Sequence, residues 1–421
     1  MSGALSRLRA TRFNRLLTLR WSSQASDGLF QSGLASFLLF SPERAPTALA
    51  VATGFALVLL PYSILGPLVG TILDRFHRRT IMLVANLVRA LLLAFIATLI
   101  ASGVTETALI PWVLLAFGLS RLVLAGLSAG LPRLVPGDLL VTANAIAVTG
   151  GTVAAVIGGG IGLGLRSTTV AWSSNASDAV IVSVAAGAYL VAALSALRLR
   201  PTELGPHEHE QVRSWSAGFV DLRLGLVHLT QRVPAGWAIM RIALVRGGMS
   251  ALIVAAILLH RNVFSDDPDD AIAGLAVVVV AMGIGSLVGA VITPRATQVW
   301  SRVQWMRTNL AFASVFAVLF AFTQTPVLLP ITMMVIAIAG QAIKVSADAE
   351  VQTAIDDDYR GRVFAVYDMS VNVAIVFGSF IAALLLPADG RSLLLPLLIA
   401  AIWMSIYLIE LGVAQRSLSS Q

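Results

Sequence analysis

The 421-residue sequence has no cysteine and few charged residues. The missing cysteines exclude disulfides and thiolate metal sites. Charged residues make up 12% of the chain, against about 25% in soluble globular proteins. Only one of the 29 basic residues is a lysine, Lys344. Hydrophobic residues reach 57% and the mean hydropathy is +0.86, so the composition indicates a lipid-embedded chain.

Long apolar stretches recur along the chain and are separated by turn residues or charges. Stretches of about 20 apolar residues are long enough to cross a bilayer as helices. The sequence therefore predicts an all-α integral membrane protein with twelve transmembrane helices, arranged as two six-helix bundles. The predicted spans are 16–40, 47–73, 80–101, 107–130, 139–165, 179–198, 235–260, 270–293, 303–323, 326–346, 362–386 and 392–413.

The basic residues alternate between the two sides of this topology. With the N-terminus inside, 21 basic residues fall on the cytoplasmic side and four fall in external loops. Basic residues collect on the cytoplasmic face of membrane proteins, so the net charge of +7 needs no nucleic-acid partner. We expect a bacterial inner-membrane protein that retains its N-terminus and has both termini in the cytoplasm.

A hydrophilic stretch divides the chain after six predicted spans. We expect an N-terminal bundle at 1–198, a cytoplasmic linker at 199–234 and a C-terminal bundle at 235–421. Residues 217–230 have an amphipathic pattern that predicts a helix at the membrane interface. The halves also echo each other, because Gly66-Pro-Leu-Val-Gly70 and Gly285-Ser-Leu-Val-Gly289 lie 219 residues apart. Such an echo is typical of parallel repeats.

The segment Gly70-Thr-Ile-Leu-Asp74-Arg75-Phe-His77-Arg78-Arg79 resembles the loop motif of the major facilitator superfamily, with His77 where the family has glycine. The resemblance implies a transporter fold and a cytoplasmic gate. In that gate Asp74 faces the start of the eleventh span, near Gly361 and Arg362, where an arginine and the helix dipole attract a carboxylate. A plain basic loop is the alternative.

Three further stretches resemble one branch of the superfamily, which contains macrolide exporters, siderophore exporters and bacterial lysophospholipid transporters. They are Ser26–Phe30, Leu131–Pro136 running on to Asn144, and Tyr359–Phe364. The glycine-rich fifth span partly matches the motif associated with exporters. Because small residues also permit close helix packing, this span indicates export only weakly.

Ionisable residues inside predicted spans are costly, which makes them candidates for function. Arg20, Gln24, Asp27 and Gln31 form one polar stripe of the first span. We expect Asp27 to be the residue that binds and releases protons, with Arg121 of the fourth span as its cation. Two alternatives stay open: Arg89 binds Asp27 instead, or the pair is static and only fixes helix packing.

Other charges are assigned less specifically. Arg89, Arg241 and Arg246 are expected on a polar cavity face, together with Arg20, Gln24 and Gln31, where an anionic or zwitterionic substrate would suit them. Lys344, Asp348 and Glu350 are expected to be gate or solvated charges. Glu410 is expected at the membrane interface.

Together these features predict a secondary transporter that works by alternating access and exports an amphipathic small molecule in exchange for protons. We expect a monomer in contact with membrane lipids, with no enzymatic activity, cofactor or metal. The sequence His207-Glu-His-Glu210 lies in the linker and lacks ligand spacing, and no P-loop is present. Lipid transport is the first alternative, and a non-transporting membrane sensor or assembly partner is the second.

Overall fold

The computed structural model of the chain describes residues 12–34, 47–136, 140–169, 171–205, 217–266 and 268–419. These residues form helices and short connections, and no strand occurs among them. The helices are α1 (Phe13–Gly33), α2 (Ala48–Arg75), α3 (Arg78–Ala101), α4 (Glu106–Leu134), α5 (Leu140–Thr168), α6 (Ser174–Ala196), α7 (Ala217–Gln231), α8 (Val233–Leu259), α9 (Pro268–Val299), α10 (Arg302–Phe322), α11 (Leu328–Ala354), α12 (Asp357–Leu385) and α13 (Leu394–Ser419).

Ten helices of the described part are long and apolar enough to cross a membrane: α3 to α6 and α8 to α13. The helices α1 and α2 coincide with the first two predicted spans. The polar stripe through Asp27 makes α1 less apolar than the others. The all-helical membrane class is therefore confirmed, whereas a total of twelve spans stays a prediction.

Local sequence explains several helix boundaries. Ser301 caps α10, because its hydroxyl accepts the N–H of Gln304 and the Gln304 side chain accepts the N–H of Ser301. Ser173 caps α6 through the N–H of Ala176. The helix predicted at 217–230 is present as α7. Only Phe76 and His77 connect α2 to α3, so Asp74 lies in the last turn of α2 rather than in a loop.

The helices group into two compact units. The first contains α1, the part of α2 from Ile64 onward, and α3 to α6. The second contains the part of α2 up to Ser63, α7 from Val220 onward, and α8 to α13. The predicted boundaries placed all of the second span in the first half. The structure divides this helix, because its first turns, including Val51, join the hydrophobic core of the second unit.

The two units repeat the same helix packing. In the first unit α1 packs on α5 and α3 on α6, and in the second α8 packs on α12 and α10 on α13. A Cβ atom on Gly28 would lie 2.8 Å from the backbone nitrogen of Gly159, and one on Gly378 would lie 2.0 Å from the carbonyl oxygen of Gly247. Both glycine pairs let two backbones touch. The offset from Gly28 to Gly247, and from Gly159 to Gly378, is again 219 residues.

Candidate functional site

A polar network surrounds Asp27 inside the first unit. Its Oδ1 accepts hydrogen bonds from Ser120 Oγ at 3.0 Å and Tyr189 OH at 2.7 Å, and forms an ion pair with Arg89. The Arg89 guanidinium also contacts the Tyr189 hydroxyl and donates to Ser23 Oγ at 3.4 Å. Arg89 and Tyr189 are fully buried, while 14% of the Asp27 side chain is exposed. One carboxylate thus holds one guanidinium and two hydroxyls.

Four helices supply this network, which therefore lies deep in the unit. Asp27 belongs to α1, Arg89 to α3, Ser120 to α4 and Tyr189 to α6. Asp27 lies 14 residues after the start of α1, about 21 Å along its axis. Arg89 lies 11 residues after the start of α3, about 17 Å along it. Since α1 has 21 residues and α3 has 24, Asp27 lies about two thirds of the way along α1 and Arg89 near the middle of α3.

Two of the contacts bear on the choice of cation for Asp27. Arg89 forms an ion pair with it and Ser120 of α4 donates to it, while the coupling of Asp27 to Arg121 stays a prediction. Arg121 is half-buried. Ser120 and Tyr189 were missed, because a serine or tyrosine in an apolar span has no charge to distinguish it. Only the three-dimensional structure shows that these two hydroxyls lie beside the Asp27 carboxylate.

The rest of the predicted polar stripe is less uniform. Arg20 is buried and donates from Nε to Gln24 Oε1 at 3.2 Å, one turn along α1. Gln31 is exposed. The stripe therefore has a buried part at Arg20 and Asp27 and an exposed end at Gln31.

A second polar cluster lies inside the second unit. Arg246 of α8 donates from Nη2 to Gln341 Oε1 of α11 at 3.3 Å. One turn further along α11, Lys344 pairs with Asp348. The second oxygen of Asp348 accepts the hydroxyl of Tyr367 from α12 at 2.8 Å. Gln341 and Tyr367 were not identified from the sequence.

Arg241 makes a different contact from the one predicted. Its Nε donates to Glu410 Oε1 on α13 at 2.6 Å, and both side chains are buried. Arg307 adds a hydrogen bond to the Glu410 carbonyl oxygen at 3.3 Å. Glu410 is therefore buried in this contact, although the sequence suggested an interfacial residue. The pair joins α8 to α13.

Among the predicted gate residues, Arg78 and Arg79 bind backbone carbonyl oxygens of the first unit. Arg78 is buried and donates to the carbonyl oxygens of Ala129 and Leu204, each at 3.0 Å. Arg79 donates to the Ala196 carbonyl oxygen at 3.4 Å, and Arg75 is exposed. These contacts fix the segment that follows α6. The contacts of Gly70, Asp74 and Gly361 lie outside the described residues.

Arg362 holds the helix α7 to the start of α12. Its Nε lies 2.8 Å from Asp221 Oδ1. Arg232 reaches both oxygens of Asp356 at 2.9 and 2.8 Å, and His228 stacks on Tyr359 with ring centroids 4.2 Å apart. The hydrogen bond from Arg232 holds the pKa of the Asp356 carboxyl below its usual value. The part of α7 from Asp221 onward is thus fastened to the segment Asp356–Arg362 within the second unit.

The described residues contain no group of three or more histidine, cysteine or acidic side chains that could hold a metal. The sequence His207-Glu-His-Glu210 lies outside them.

Known proteins resemble this chain along most of its length. Residues 21–379 match the family described as Major Facilitator Superfamily. Uncharacterized MFS-type transporters of Mycobacterium bovis and Mycobacterium tuberculosis are each 35% identical over 416 residues, covering 96% of this chain and 91% of theirs.

Solved structures share the fold at low sequence identity. A crystal structure of the nucleoside transporter NupG has a TM-score of 0.64 at 13% identity, covering 95% of this chain and 98% of that one. A POT family transporter in complex with 5-aminolevulinic acid gives 0.64 at 12% identity, covering 96% of each chain. A bacterial homologue of the iron transporter ferroportin, in an outward-facing state, gives 0.57 at 16%, covering 94% and 98%.

Proposed function

The chain belongs to the Major Facilitator Superfamily, and from that premise we propose that it exports an amphipathic small molecule by alternating access in exchange for protons. It is a multi-pass membrane transporter and not an enzyme. The mycobacterial relatives support a bacterial inner membrane as its location. The excess of basic residues on one side of the twelve-span topology supports cytoplasmic termini.

The network around Asp27 is the observation that carries this proposal. A carboxylate at a helix centre costs about 2.5–3.5 kcal/mol on insertion scales, and here Arg89, Ser120 and Tyr189 offset that cost. Protonation of Asp27 would leave the fully buried Arg89 without its counter-charge. An uncompensated buried charge costs about 3–5 kcal/mol. Proton binding would therefore favour a rearrangement of these helices that gives Arg89 another partner.

Proton entry supplies enough free energy for export without ATP. One charge moving inward gains about 2.3 kcal/mol per 100 mV, and each pH unit adds about 1.4 kcal/mol. A tenfold concentration gradient of substrate costs about 1.4 kcal/mol. One proton can thus sustain a tenfold to hundredfold gradient of a neutral substrate.

The test records proton movement in liposomes that contain the purified protein and a trapped pH dye. Lipophilic cations, macrolides, siderophores and lysolipids are added in turn. We expect one class to trigger proton flux in the wild type, and Asp27→Asn to abolish it. Asp389→Asn, which removes a carboxylate in the connection before α13, serves as the matched control and should retain the flux.

Two outcomes would contradict the proposal. One is transport without proton movement, and the other is wild-type flux in Asp27→Asn. Movement of lysolipids that does not depend on the proton gradient would favour the alternative of a lipid transporter.

A further inference from the structure

Arg246 occupies the position of the second unit that corresponds to Asp27 in the first. Asp27 precedes Gly28, which touches α5, and Arg246 precedes Gly247, which touches α12. The separation between Asp27 and Arg246 is the same 219 residues that relate the glycines. One unit therefore has a carboxylate at this place, whereas the other has a guanidinium.

Arg246 feels the negative charge of Asp348 but is not bonded to it. Its hydrogen bond goes to the neutral amide of Gln341 at 3.3 Å, and within the described residues it forms no ion pair. The nearby carboxylate of Asp348 has both oxygens engaged, one by Lys344 and the other by Tyr367. Two cations thus share one carboxylate, which pairs directly with Lys344 and acts on Arg246 only through space.

Arg241, on the same helix, differs from Arg246 because it has a direct ion pair. Five residues earlier on α8, Arg241 is buried and paired with Glu410 at 2.6 Å. An arginine inside a span costs about 2.5–3.5 kcal/mol on insertion scales, and Arg241 offsets that cost within the chain. Arg246 has no such direct pair, and the cluster of Arg246, Lys344 and Asp348 carries one positive charge in excess.

The cluster is deep and still accessible. Arg246 lies 13 residues after the start of α8, about 20 Å along the axis, and Lys344 lies 10 residues before the end of α11, about 15 Å from it. These two helix ends lie on the same side, because Arg232 before α8 bonds Asp356 after α11. The side chains of Lys344 and Asp348 are 39% and 28% exposed. Ionised groups at such depth face water or polar ligands rather than lipid.

We propose that Arg246, Gln341 and Lys344 form a binding site for an oxyanion headgroup, a phosphate or a carboxylate, on the amphipathic substrate. The guanidinium of an arginine matches two oxygens of either group, and the Gln341 amide and Lys344 ammonium add donors. This site rests on the transport function proposed above and names the charge of its substrate. The apolar tail of the substrate would lie outside the cluster.

Three probes that share one alkyl chain test the site: octyl phosphate, octanoate and octyltrimethylammonium. Binding to the full chain in lipid nanodiscs is measured by calorimetry without any ion gradient. We expect the wild type to bind at least one of the two anions about tenfold or more tightly than the cation. Arg246→Gln should weaken anion binding at least about tenfold and leave the cation unchanged.

Two further variants test whether anion binding depends on the guanidinium of Arg246. Arg246→Lys keeps the charge and loses the planar fork, so anion affinity should fall between the wild type and Arg246→Gln. Arg295→Gln removes an exposed arginine of the same unit whose hydrogen bond goes to its own helix, and it should bind like the wild type. A preference for octyl phosphate indicates a phospholipid-like headgroup, whereas a preference for octanoate indicates a carboxylate.

The site is disproved if Arg246→Gln binds the preferred anion like the wild type, or if the cation binds as tightly as both anions. This result is distinguishable from a failure of proton exchange, because the assay contains no gradient and no flux. If Asp27→Asn still moves protons while the headgroup preference holds, the coupling proposal fails and the anion site stands.

Discussion

Two equivalent positions of the repeated fold carry opposite charges in opposite surroundings. Asp27 in the first unit is held by a guanidinium and two hydroxyls, and Arg89 beside it is fully buried. Arg246 in the second unit is half-buried and contacts one neutral amide. The first position has a direct ion pair, whereas the cluster at the second carries one positive charge in excess, because Arg246 and Lys344 share Asp348.

The difference shows that the same close glycine packing can hold residues of opposite charge. Close glycine contacts set the helix geometry in both units, so the residue before each glycine lies in a similar local frame. A neutralised pair in that frame responds to loss or gain of one proton. The excess positive charge of the second cluster can attract an anion from outside the chain. The proposed functions therefore divide between the units as proton coupling and headgroup binding.

The largest expected effect comes from removing Arg89, the partner of Asp27, and contrasts with the removal of Arg246. Arg89→Gln leaves the Asp27 carboxylate without its cation inside the unit, and should lower the free energy of unfolding by about 3–5 kcal/mol. Arg246→Gln removes a charge that has no ion pair in the described chain, so stability should stay the same or rise slightly. Denaturant unfolding in one detergent measures both.

The double variant Asp27→Asn/Arg89→Gln is the control for this contrast. It removes both charges together and should recover much of the loss seen in Arg89→Gln, because neither partner is left unpaired. If Arg246→Gln destabilises the protein as much as Arg89→Gln, the two positions are both structural. The proposed difference in role between the Asp27 and Arg246 positions would then be wrong.

A smaller effect is expected at the glycines. A Cβ atom on Gly28 would lie 1.9 Å from the Ala155 carbonyl oxygen, and one on Gly247 would lie 2.7 Å from that of Ala374. Overpacking of this kind costs about 1–3 kcal/mol, so Gly28→Ala should lower the unfolding temperature more than Gly247→Ala. Gly160→Ala meets nothing within 4 Å and should be neutral. Equal shifts at all three sites would rule out close packing as the cause.

Much of the fold was predictable because membrane spans are encoded locally. Long apolar runs placed the ten helices that qualify as spans, and the amphipathic pattern placed α7. The helix ends were less accurate, since polar residues such as those from Asp357 to Arg362 continue α12 beyond its apolar part. Division of α2 between the units depends on packing, which hydropathy does not report.

The site was predictable only in part, because charges stand out in an apolar span and their partners do not. Asp27, Arg89 and Arg246 were found by this signal. Tyr189 is 162 residues from Asp27 along the chain, and its role follows from burial beside the carboxylate. Arg241 was assigned to a cavity face for the same reason, since its partner Glu410 is 169 residues away. The gate contact of Asp74 stays a prediction.

The smallest expected effect concerns carboxylates outside the spans. Burial raises the pKa of Glu203. Hydrogen bonds from the Arg200 N–H and the Arg12 guanidinium lower it by more than burial raises it, so the pKa lies below its usual 4.5. A folded-state pKa below the unfolded one stabilises the protein above about pH 4.5, and that contribution disappears as the pH falls through the folded value. Because the Arg12 side chain of this pair is 39% exposed, Glu203→Gln should cost less than about 1 kcal/mol at pH 7 and progressively less as the pH falls below 4.5. Thermal unfolding of both forms across this pH range measures the difference. A gap that persists undiminished at low pH would show that Glu203 acts through packing rather than through charge.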